Sequence, residues 1–435
     1  MKIFRIVFIL ALALLAIQLE AQRNYGLSRE IQGYRSDSSP KSLQELIEKA
    51  QPGQVIMLEP GYYIGPAIIT TNNIILDGQG RATVSGGETG TVITVEADNV
   101  TIRNLEIIES GGSHDKIDSG IKLKGNFNQV ENCLIRECLF GVDIMQSNNN
   151  VVKNCEISSL SRRPMALKGD AIRLWYSRNN MITNNYWYQV RDMVVWYSSE
   201  NSFIANKGEG NRYSIHFMYS HNNRIADNVF YHNSVGVFLM YSEQTVMTGN
   251  TIMNSTGLSG MCLGMKETSS NQILNNRFIY SSEGIHVDVS PFVPEKINTI
   301  ANNEIAFCGV GVKFHTNQEG NLFKENYFHN NLVQVEAEGK TANMNKWDNN
   351  YYDDYQGFDK DKDNIGDNPY SLYAYVEHLW SFNRNVKFFY GSPLLLILDF
   401  LERLAPFSQP KFVLRDNKPM FRWENKEEIF KNLPL

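Results

Sequence analysis

Short stretches of alternating apolar and polar residues run through most of this chain. Val237 and Leu239 belong to one such stretch, and Ile285 and Val287 belong to another. A period of two is typical of a β-strand that buries one face, whereas an amphipathic helix needs apolar positions three or four residues apart over a longer run. The central part of the chain therefore predicts many short strands rather than a helical repeat.

A pair of asparagines five residues apart accompanies these strands and recurs every 21 to 30 residues. The pairs, in which Cys or Thr replaces some members, are Asn99/Asn104, Asn128/Cys133, Asn150/Cys155, Asn180/Asn185, Asn201/Asn206, Asn223/Asn228, Thr245/Asn250, Asn271/Asn276, Asn298/Asn303 and Asn321/Asn326. One turn of a parallel β-helix has a similar length, and successive turns, here called coils, stack about 4.8 Å apart. Asparagine suits the corners because it tolerates a left-handed backbone and its amide can bond to the asparagine of the next coil.

These observations predict an all-β fold, a parallel β-helix of about twelve coils spanning residues 22–350. A β-propeller is the alternative, although its blades would be about 40 residues long and would show hairpin turns. A short helix over residues 42–50, with Ser42 as its N-cap, is expected to close the N-terminal end.

The first 21 residues do not belong to the repeat. Lys2 and Arg5 precede an uncharged apolar run at residues 6–17, and the small residue Ala21 follows. This arrangement predicts a signal peptide over residues 1–21, with an uncleaved N-terminal anchor as the alternative.

The composition excludes several classes of protein. Charged residues are 20% and hydrophobic residues 42% of the 435, which fits neither a disordered chain nor a polytopic membrane protein. The 41 basic and 47 acidic residues give a net charge of −6, which argues against a nucleic-acid-binding face. Five cysteines are too few for a disulfide scaffold, and Cys133 and Cys155, on neighbouring coils, form either a disulfide or two buried thiols.

Aligning the coils predicts which side chains point inwards. Two uniformly apolar columns result: Ile172, Met193, Ile215, Val237, Met261, Ile285 and Val312, and Leu174, Val195, Phe217, Leu239, Leu263, Val287 and Phe314. The intervening positions point outwards and read Arg173, Val194, His216, Phe238, Cys262, His286 and Lys313, and Trp175, Trp196, Met218, Met240, Gly264, Asp288 and His315, with Met265 just beyond Gly264.

Seven side chains of this outer face are candidate metal ligands. They are His216, Met218, Met240, Cys262, Met265, His286 and His315. Thioether, thiolate and imidazole groups together select copper, as Cu(I), over hard cations. The alternative is that these side chains are covered by a loop or a partner and bind no metal.

The last part of the chain, residues 351–435, has no asparagine pairs. Asp359, Asp361, Asp363 and Asp367 alternate in an acidic segment and are candidate Ca²⁺ ligands, although a solvated acidic turn explains them equally well. A strongly apolar helix is predicted at residues 392–404, and it either caps the solenoid or docks on a membrane partner.

Three runs in the middle of the chain resemble the NosD family of periplasmic proteins that mature nitrous-oxide reductase. They are GDAIRLWYSRNNMITNN at residues 169–185, RDMVVWYS at 191–198 and RYSIHFMYSHNNRI at 212–225, and the acidic segment and the apolar helix follow in the family's order. The resemblance extends from about residue 40 to about residue 420.

The resemblance implies a right-handed parallel β-helix in the periplasm with no enzymatic activity of its own. It implies a protein docked on the permease and ATPase of an ABC transporter, touching the membrane only through the permease. It also implies that the protein passes copper from a donor lipoprotein towards the copper-sulfide cluster of nitrous-oxide reductase. The alternative function is that of a polysaccharide lyase or carbohydrate-binding β-helix, for which Trp175 and Trp196 would be stacking platforms.

Overall fold

The computed structural model describes residues 40–317, 319–338, 342–375, 384–389, 392–404 and 409–423. The predicted signal peptide lies outside these residues. Within them, contacts divide the chain into two units, residues 40–191 with 205–207, and residues 192–204 with 208–423. The predicted fold class is confirmed, because the described residues form an all-β, right-handed parallel solenoid of about 13 turns.

Each coil contributes one strand to a long parallel sheet whose outer side carries most of the predicted ligands. In the first unit its strands are β1 Ala67–Ile69, β2 Ile93–Val95, β3 Ser119–Leu123, β4 Phe140–Met145 and β5 Ile172–Trp175. In the second unit they are β6 Asp192–Trp196, β7 Tyr213–Met218, β8 Val235–Met240, β9 Met261–Lys266, β10 Glu283–Asp288, β11 Val310–Phe314 and β12 Val333–Ala337.

The rest of each coil is built from other parallel strands, most of them only two to four residues long. These are Lys41–Ser42, Val55–Met57, Gly61–Ile64, Ile75–Ser85, Thr101–Ile108, Gln129–Glu131, Leu134–Arg136, Val151–Lys153, Glu156–Ser158, Met181–Thr183, Tyr186–Tyr188, Ser202–Ile204, Lys207–Glu209, Arg224–Ala226, Val229–Tyr231, Val246–Thr248, Thr251–Met253, Gln272–Leu274, Arg277–Ile279, Asn298–Ala301, Glu304–Ala306, Asn321–Lys324, Tyr327–His329, Lys346–Asp348 and Tyr351–Tyr352. Short 3₁₀ helices lie at Met165–Leu167 and Arg384–Phe389.

The asparagine pairs form buried ladders at the corners between these strands. Asn276 is typical: its side-chain oxygen accepts from the backbone N–H of Asn250 at 3.0 Å and from the Asn250 amide at 2.9 Å. Its own amide donates to the side-chain oxygen of Asn303 at 3.1 Å. A ladder asparagine of this kind therefore satisfies a buried backbone N–H on one neighbouring coil and bonds to an amide on the other.

The expectation that the ladder asparagines themselves are left-handed is wrong by one position. The left-handed residue is in most coils the one before the ladder asparagine, as at Asn275 with φ of 56° and Asn302 with φ of 56°. Asn99 and Asn104 are such corner residues, with φ of 57° and 54°, rather than ladder members. The backbone turns at the left-handed residue, and the side chain of the next residue then points towards the neighbouring coil.

The N-terminal end is closed by helix α1, Leu43–Ile47, which is shorter than predicted. The hydroxyl of Ser42 accepts from the backbone N–H of Glu45 at 3.4 Å, as the N-cap prediction required. Leu43 and Ile47 are buried against the first coil, so the helix covers apolar core that the open end would otherwise expose.

One asparagine ladder ends at a pair of strands that the sequence analysis did not predict. Strands β13, Tyr370–Ala374, and β14, Lys411–Asp416, form an antiparallel pair. The buried carboxylate of Asp416 accepts from the backbone N–H and the amide of Asn350, both at 3.0 Å. A carboxylate accepts without donating, so it can terminate a chain of amide donors.

The predicted C-terminal helix is present as α2, Pro393–Leu404, and Ser392 accepts from the backbone N–H of Leu395 at 3.4 Å. Six of its apolar side chains are exposed: Leu394, Leu396, Ile397, Phe400, Leu401 and Leu404. None of the helices in the described part of the chain combines the length and hydropathy needed to cross a bilayer.

Candidate functional site

The outward side chains of β6–β12 form a continuous surface in the second unit, here called the outer face. His216 on β7 lies opposite Val194 and Phe238 on the neighbouring strands, and Met218 lies opposite Met240. Neighbouring strands are about 4.8 Å apart, so these side chains are in reach of one another. The prediction that His216, Met218 and Met240 share one exterior wall is therefore confirmed, and all three are half-buried.

Aromatic rings surround the His216 imidazole on three sides. Tyr213, on the same strand, stacks on it with ring centroids 4.9 Å apart. The rings of Trp196 and Phe238, on the two neighbouring strands, meet it edge-on at 5.9 Å each. This arrangement fixes the plane of the imidazole and removes much of the water around it.

Two predicted ligands do not lie on the outer face. Cys262 and Met265 are completely buried, and Met265 lies opposite Leu239 and Val287 in an inward column. The sequence alignment of this coil was wrong by two residues, because β9 pairs Met261 with Val235 and Leu263 with Val237. The error arises from the longer loop before β9, which lengthens this coil without changing the strand pattern.

A two-residue shift alone keeps each side chain on the same side of the strand. Cys262 and Leu263 are both buried, however, and this break in the alternation places Met261 outside, although it was predicted to be inside. Its sulfur lies over Gly264, 3.0 Å from where a Cβ of that residue would be, and the Phe238 ring lies 2.3 Å from the same point. Gly264 thus leaves the space into which Phe238 and Met261 pack. Gly264 was the signal in the sequence for this packing, since glycine is the residue that permits such a close approach.

His286 and His315 lie further along the outer face and have different surroundings. The Nδ1 of His286 is 2.7 Å from a carboxylate oxygen of Glu283, and the Nδ1 of His315 is 2.8 Å from one of Glu338. Lys313 bridges the two glutamates at 3.1 Å each. His286 is three strands from His216, about 14 Å at the usual spacing, so the seven predicted ligands do not form one continuous track.

The charges in this group reinforce one another. Burial raises the pKa of Glu283, but the hydrogen bond with His286 and the charge of Lys313 outweigh that effect and hold it below its ordinary value. Burial lowers the pKa of Lys313, yet the charges of Glu283 and Glu338 raise it overall. Both glutamates and the lysine are thus held in their charged forms.

In the first unit, the outward charged residues Lys122, Asp143 and Arg173 form one linked group. Asp143 on β4 is buried and bonded to Arg173 on β5 at 2.8 Å, with Lys122 3.7 Å away. Burial raises the pKa of Asp143 even though Arg173 and Lys122 lower it. The Arg173 guanidinium also lies 4.6 Å from the ring centroid of Trp175, so this cation is engaged on two sides.

The acidic segment brings three of its four predicted ligands together. Oxygen atoms of Asp359, Asp361 and Asp363 lie within 4.8 Å of one another, whereas Asp367 accepts from the backbone N–H of Lys360 at 2.9 Å. Asp359 also accepts from several backbone N–H groups of its own loop. The Ca²⁺ assignment stays a prediction.

All five cysteines are buried free thiols, so Cys133 and Cys155 do not form a disulfide. Burial raises the pKa of Cys138 to about 12 and that of Cys308 to about 12. It also raises the pKa of Cys262 well above its ordinary value, which keeps this thiol protonated and a poor metal ligand.

A sequence profile of the family described as "Periplasmic copper-binding protein (NosD)" matches residues 154–357. This part of the chain is similar to NosD. The match covers just under half of the chain and contains His216, Met218, Met240, Met261, His286 and His315. The acidic segment begins just beyond it.

Two relatives carry the name "Probable ABC transporter binding protein NosD". The protein of Stutzerimonas stutzeri is 25% identical over 195 residues, which are 43% of this chain and 39% of that protein. The protein of Pseudomonas aeruginosa is 29% identical over 129 residues, which are 29% of each. The chain thus matches less than half the length of these curated relatives.

Among solved structures, the A-module of the mannuronan C-5 epimerase AlgE6 from Azotobacter vinelandii superposes with a TM-score of 0.52. It is 16% identical in sequence, and the alignment covers 70% of this chain and 93% of that module. At this identity the likeness shows a shared parallel β-helix fold and nothing about activity.

Proposed function

We propose that this protein is a NosD-type periplasmic accessory protein without enzymatic activity. In this role it receives Cu(I) as cargo from a donor lipoprotein and delivers it for assembly of the copper-sulfide cluster of nitrous-oxide reductase. The observation that supports the proposal best is the position of His216, Met218 and Met240 on adjacent strands of one face, inside the segment that matches the NosD profile.

The chemistry of these three groups suits a transient copper site. Two thioethers and one imidazole are soft or borderline ligands that favour Cu(I) over Ca²⁺ or Mg²⁺. Both thioethers are neutral, and the rings of Trp196, Tyr213 and Phe238 give the site a dry and rigid border. Few ligands on an open face allow the ion to leave again, which a closed four-ligand cage would prevent.

The buried Cys262 and Met265 have no part in this site. Met261 takes the place expected for Met265, because its sulfur lies on the outer face beside Phe238. We therefore assign the Cu(I) site to His216, Met218 and Met240, with Met261 at its edge.

A Cu(I) titration of the purified protein against a chromogenic chelator tests this assignment. We expect binding of about one equivalent in the wild type, and its loss in the double variant His216→Ala/Met218→Ala. The matched control is His286→Ala/His315→Ala, which removes two imidazoles from the same face and is expected to retain Cu(I). Unchanged binding in His216→Ala/Met218→Ala would refute the site.

We further propose that α2 docks the protein on the permease of an ABC transporter. Five of its exposed side chains are more than half exposed: Leu394 at 68%, Leu396 at 58%, Ile397 at 56%, Phe400 at 60% and Leu404 at 66%. A contiguous apolar surface of this kind is typical of a binding site.

Co-purification with the co-expressed permease and ATPase tests the docking role. Leu396→Glu/Phe400→Glu is expected to abolish co-purification, because it places two charges in an apolar contact. Leu258→Glu, at a fully exposed leucine elsewhere, is the control and should co-purify normally. Retention of the complex by Leu396→Glu/Phe400→Glu would exclude α2 as the docking element.

A carbohydrate-degrading role is the alternative with the same fold. It would require a free base or acid in a cleft, but Arg173 on β5 is bonded to Asp143, and on the outer face Lys313 is held between two glutamates. Incubation with acidic polysaccharides should therefore yield no unsaturated product, and the appearance of such a product would overturn the proposed function.

A further inference from the structure

The second charged group on the outer face consists of Glu283, His286, Lys313, His315 and Glu338, here called the paired-imidazole cluster. Glu283 and His286 lie on β10, Lys313 lies on β11, and His315 and Glu338 follow directly after β11 and β12. The members are linked by four contacts of 2.7 to 3.1 Å. The two imidazole rings are 6.0 Å apart between centroids and inclined by only 28°.

The carboxylates decide which nitrogen of each imidazole carries the proton. An ionised carboxylate can only accept, so the Nδ1 of His286 and the Nδ1 of His315 must donate to Glu283 and Glu338. In the neutral form of each ring, Nε2 then keeps its lone pair. Histidine ligands of metal ions are commonly held in this way, with one nitrogen bonded to a carboxylate and the other on the metal.

Lys313 occupies one oxygen of each glutamate, so the glutamates orient the imidazole rings rather than bind a cation directly. Its ammonium lies 3.1 Å from an oxygen of Glu283 and 3.1 Å from one of Glu338. With neutral imidazoles, the two glutamates and the lysine leave one net negative charge. The cluster therefore attracts a cation while offering neutral nitrogen ligands.

The two imidazoles can be reached from solvent. The His315 side chain is 52% exposed and the His286 side chain is 18% exposed. Their strands are adjacent, since His286 lies opposite Lys313, two residues before His315. Two parallel rings on neighbouring strands can converge on one ion through small rotations of their side chains.

We propose that the Nε2 atoms of His286 and His315 bind a divalent cation of intermediate hardness, Cu²⁺ or Zn²⁺, with water in the remaining positions. Imidazole pairs suit these ions, and the cluster contains no sulfur ligand that would favour Cu(I). This site is distinct from the one at His216, Met218 and Met240, and it does not depend on the proposed function.

Electron paramagnetic resonance of the full chain titrated with Cu²⁺ is the direct test. The expected spectrum is that of a tetragonal Cu²⁺ with hyperfine coupling to two imidazole nitrogens, and Zn²⁺ should displace the signal. His286→Ala and His315→Ala should each weaken Cu²⁺ binding by about tenfold or more. His232→Ala, at an exposed corner histidine, is the matched control and should leave binding unchanged.

Two further variants separate orientation from ligation. Glu283→Gln and Glu338→Gln remove the carboxylates that hold the rings, and each should weaken Cu²⁺ binding about 10-fold to 100-fold without removing a ligand. His315 is half exposed, so His315→Ala should keep the circular dichroism spectrum and melting curve of the wild type.

The inference is overturned if His286→Ala and His315→Ala bind Cu²⁺ as the wild type does. It is also overturned if Cu²⁺ binding is lost in Met218→Leu/Met240→Leu, because the ion would then occupy the thioether site. Failure of the Cu(I) titration at His216 would leave this result untouched, so the two sites are tested separately.

Discussion

The ladder residue Asn276 offers the sharpest test of what holds the coils in register. It is completely buried, and its side chain makes two bonds as acceptor and three as donor. In Asn276→Ala the Asn250 amide still donates to the carbonyls of Ile225 and Thr248. The side-chain oxygen of Asn303 still accepts from the backbone N–H of residue 276. The backbone N–H of Asn250 loses its acceptor.

The expected cost follows from these losses. A buried donor left without an acceptor costs about 1–3 kcal/mol, and each hydrogen bond lost with partial compensation costs about 0.5–1.5 kcal/mol. We therefore expect Asn276→Ala to lower the free energy of unfolding by about 2–5 kcal/mol. Gln272→Ala, at an exposed position four residues earlier, should change it by less than about 0.5 kcal/mol.

Equilibrium unfolding in urea, followed by tryptophan fluorescence, measures this difference. The midpoint should fall while the slope m stays constant, because the surface exposed on unfolding is the same. If Asn276→Ala and Gln272→Ala are equally stable, the ladder does not stabilise the solenoid and the reasoning is refuted.

Two more predictions address the outer face and the dependence of stability on pH. Gly264→Ala places a methyl group 2.3 Å from the Phe238 ring. It should therefore lower the free energy of unfolding by about 1–3 kcal/mol and weaken Cu(I) binding at His216. A variant that matches the wild type in urea unfolding and in the Cu(I) titration would contradict this prediction. Burial raises the pKa of Glu304, but the bond with His329 and the charge of Arg277 hold it below its ordinary value of 4.5. Its stabilising effect is therefore present above about pH 4.5 and is lost as pH falls through the folded-state pKa. Unfolding of the wild type and Glu304→Gln between about pH 6 and about pH 3 should show a shallower loss of stability in the variant, and parallel curves would exclude this role.

The solenoid and much of its face could be predicted from local patterns. The asparagine pairs record a contact that recurs on every coil, so their spacing gives the length of each turn and their chemistry indicates the stacking. His216, Met218 and Met240 were placed correctly because β7 and β8 are 22 residues apart and have the same alternation of apolar and polar positions.

The errors occur where coil length or strand geometry changes. Met261 was misplaced because Cys262 and Leu263 are both buried, so the alternation breaks between Met261 and Leu263. Met265, two residues after Leu263, shares the inward side of that residue. Alternation from Ile285 would also place Glu283 inside, yet Gly284 faces the crowded interior and Glu283 turns outwards to His286. The hydrogen bond between Asn350 and Asp416 joins residues 66 positions apart, and the repeat pattern does not predict it.

The central claim is that thioether and imidazole groups on adjacent coils bind copper together on the outer face. Copper K-edge X-ray absorption of the Cu(I)-loaded wild type should show a mixed shell of sulfur and nitrogen neighbours. In Met218→Leu/Met240→Leu, which keeps the apolar packing, the sulfur contribution should fall or disappear. A sulfur shell identical in the wild type and this variant would contradict the account.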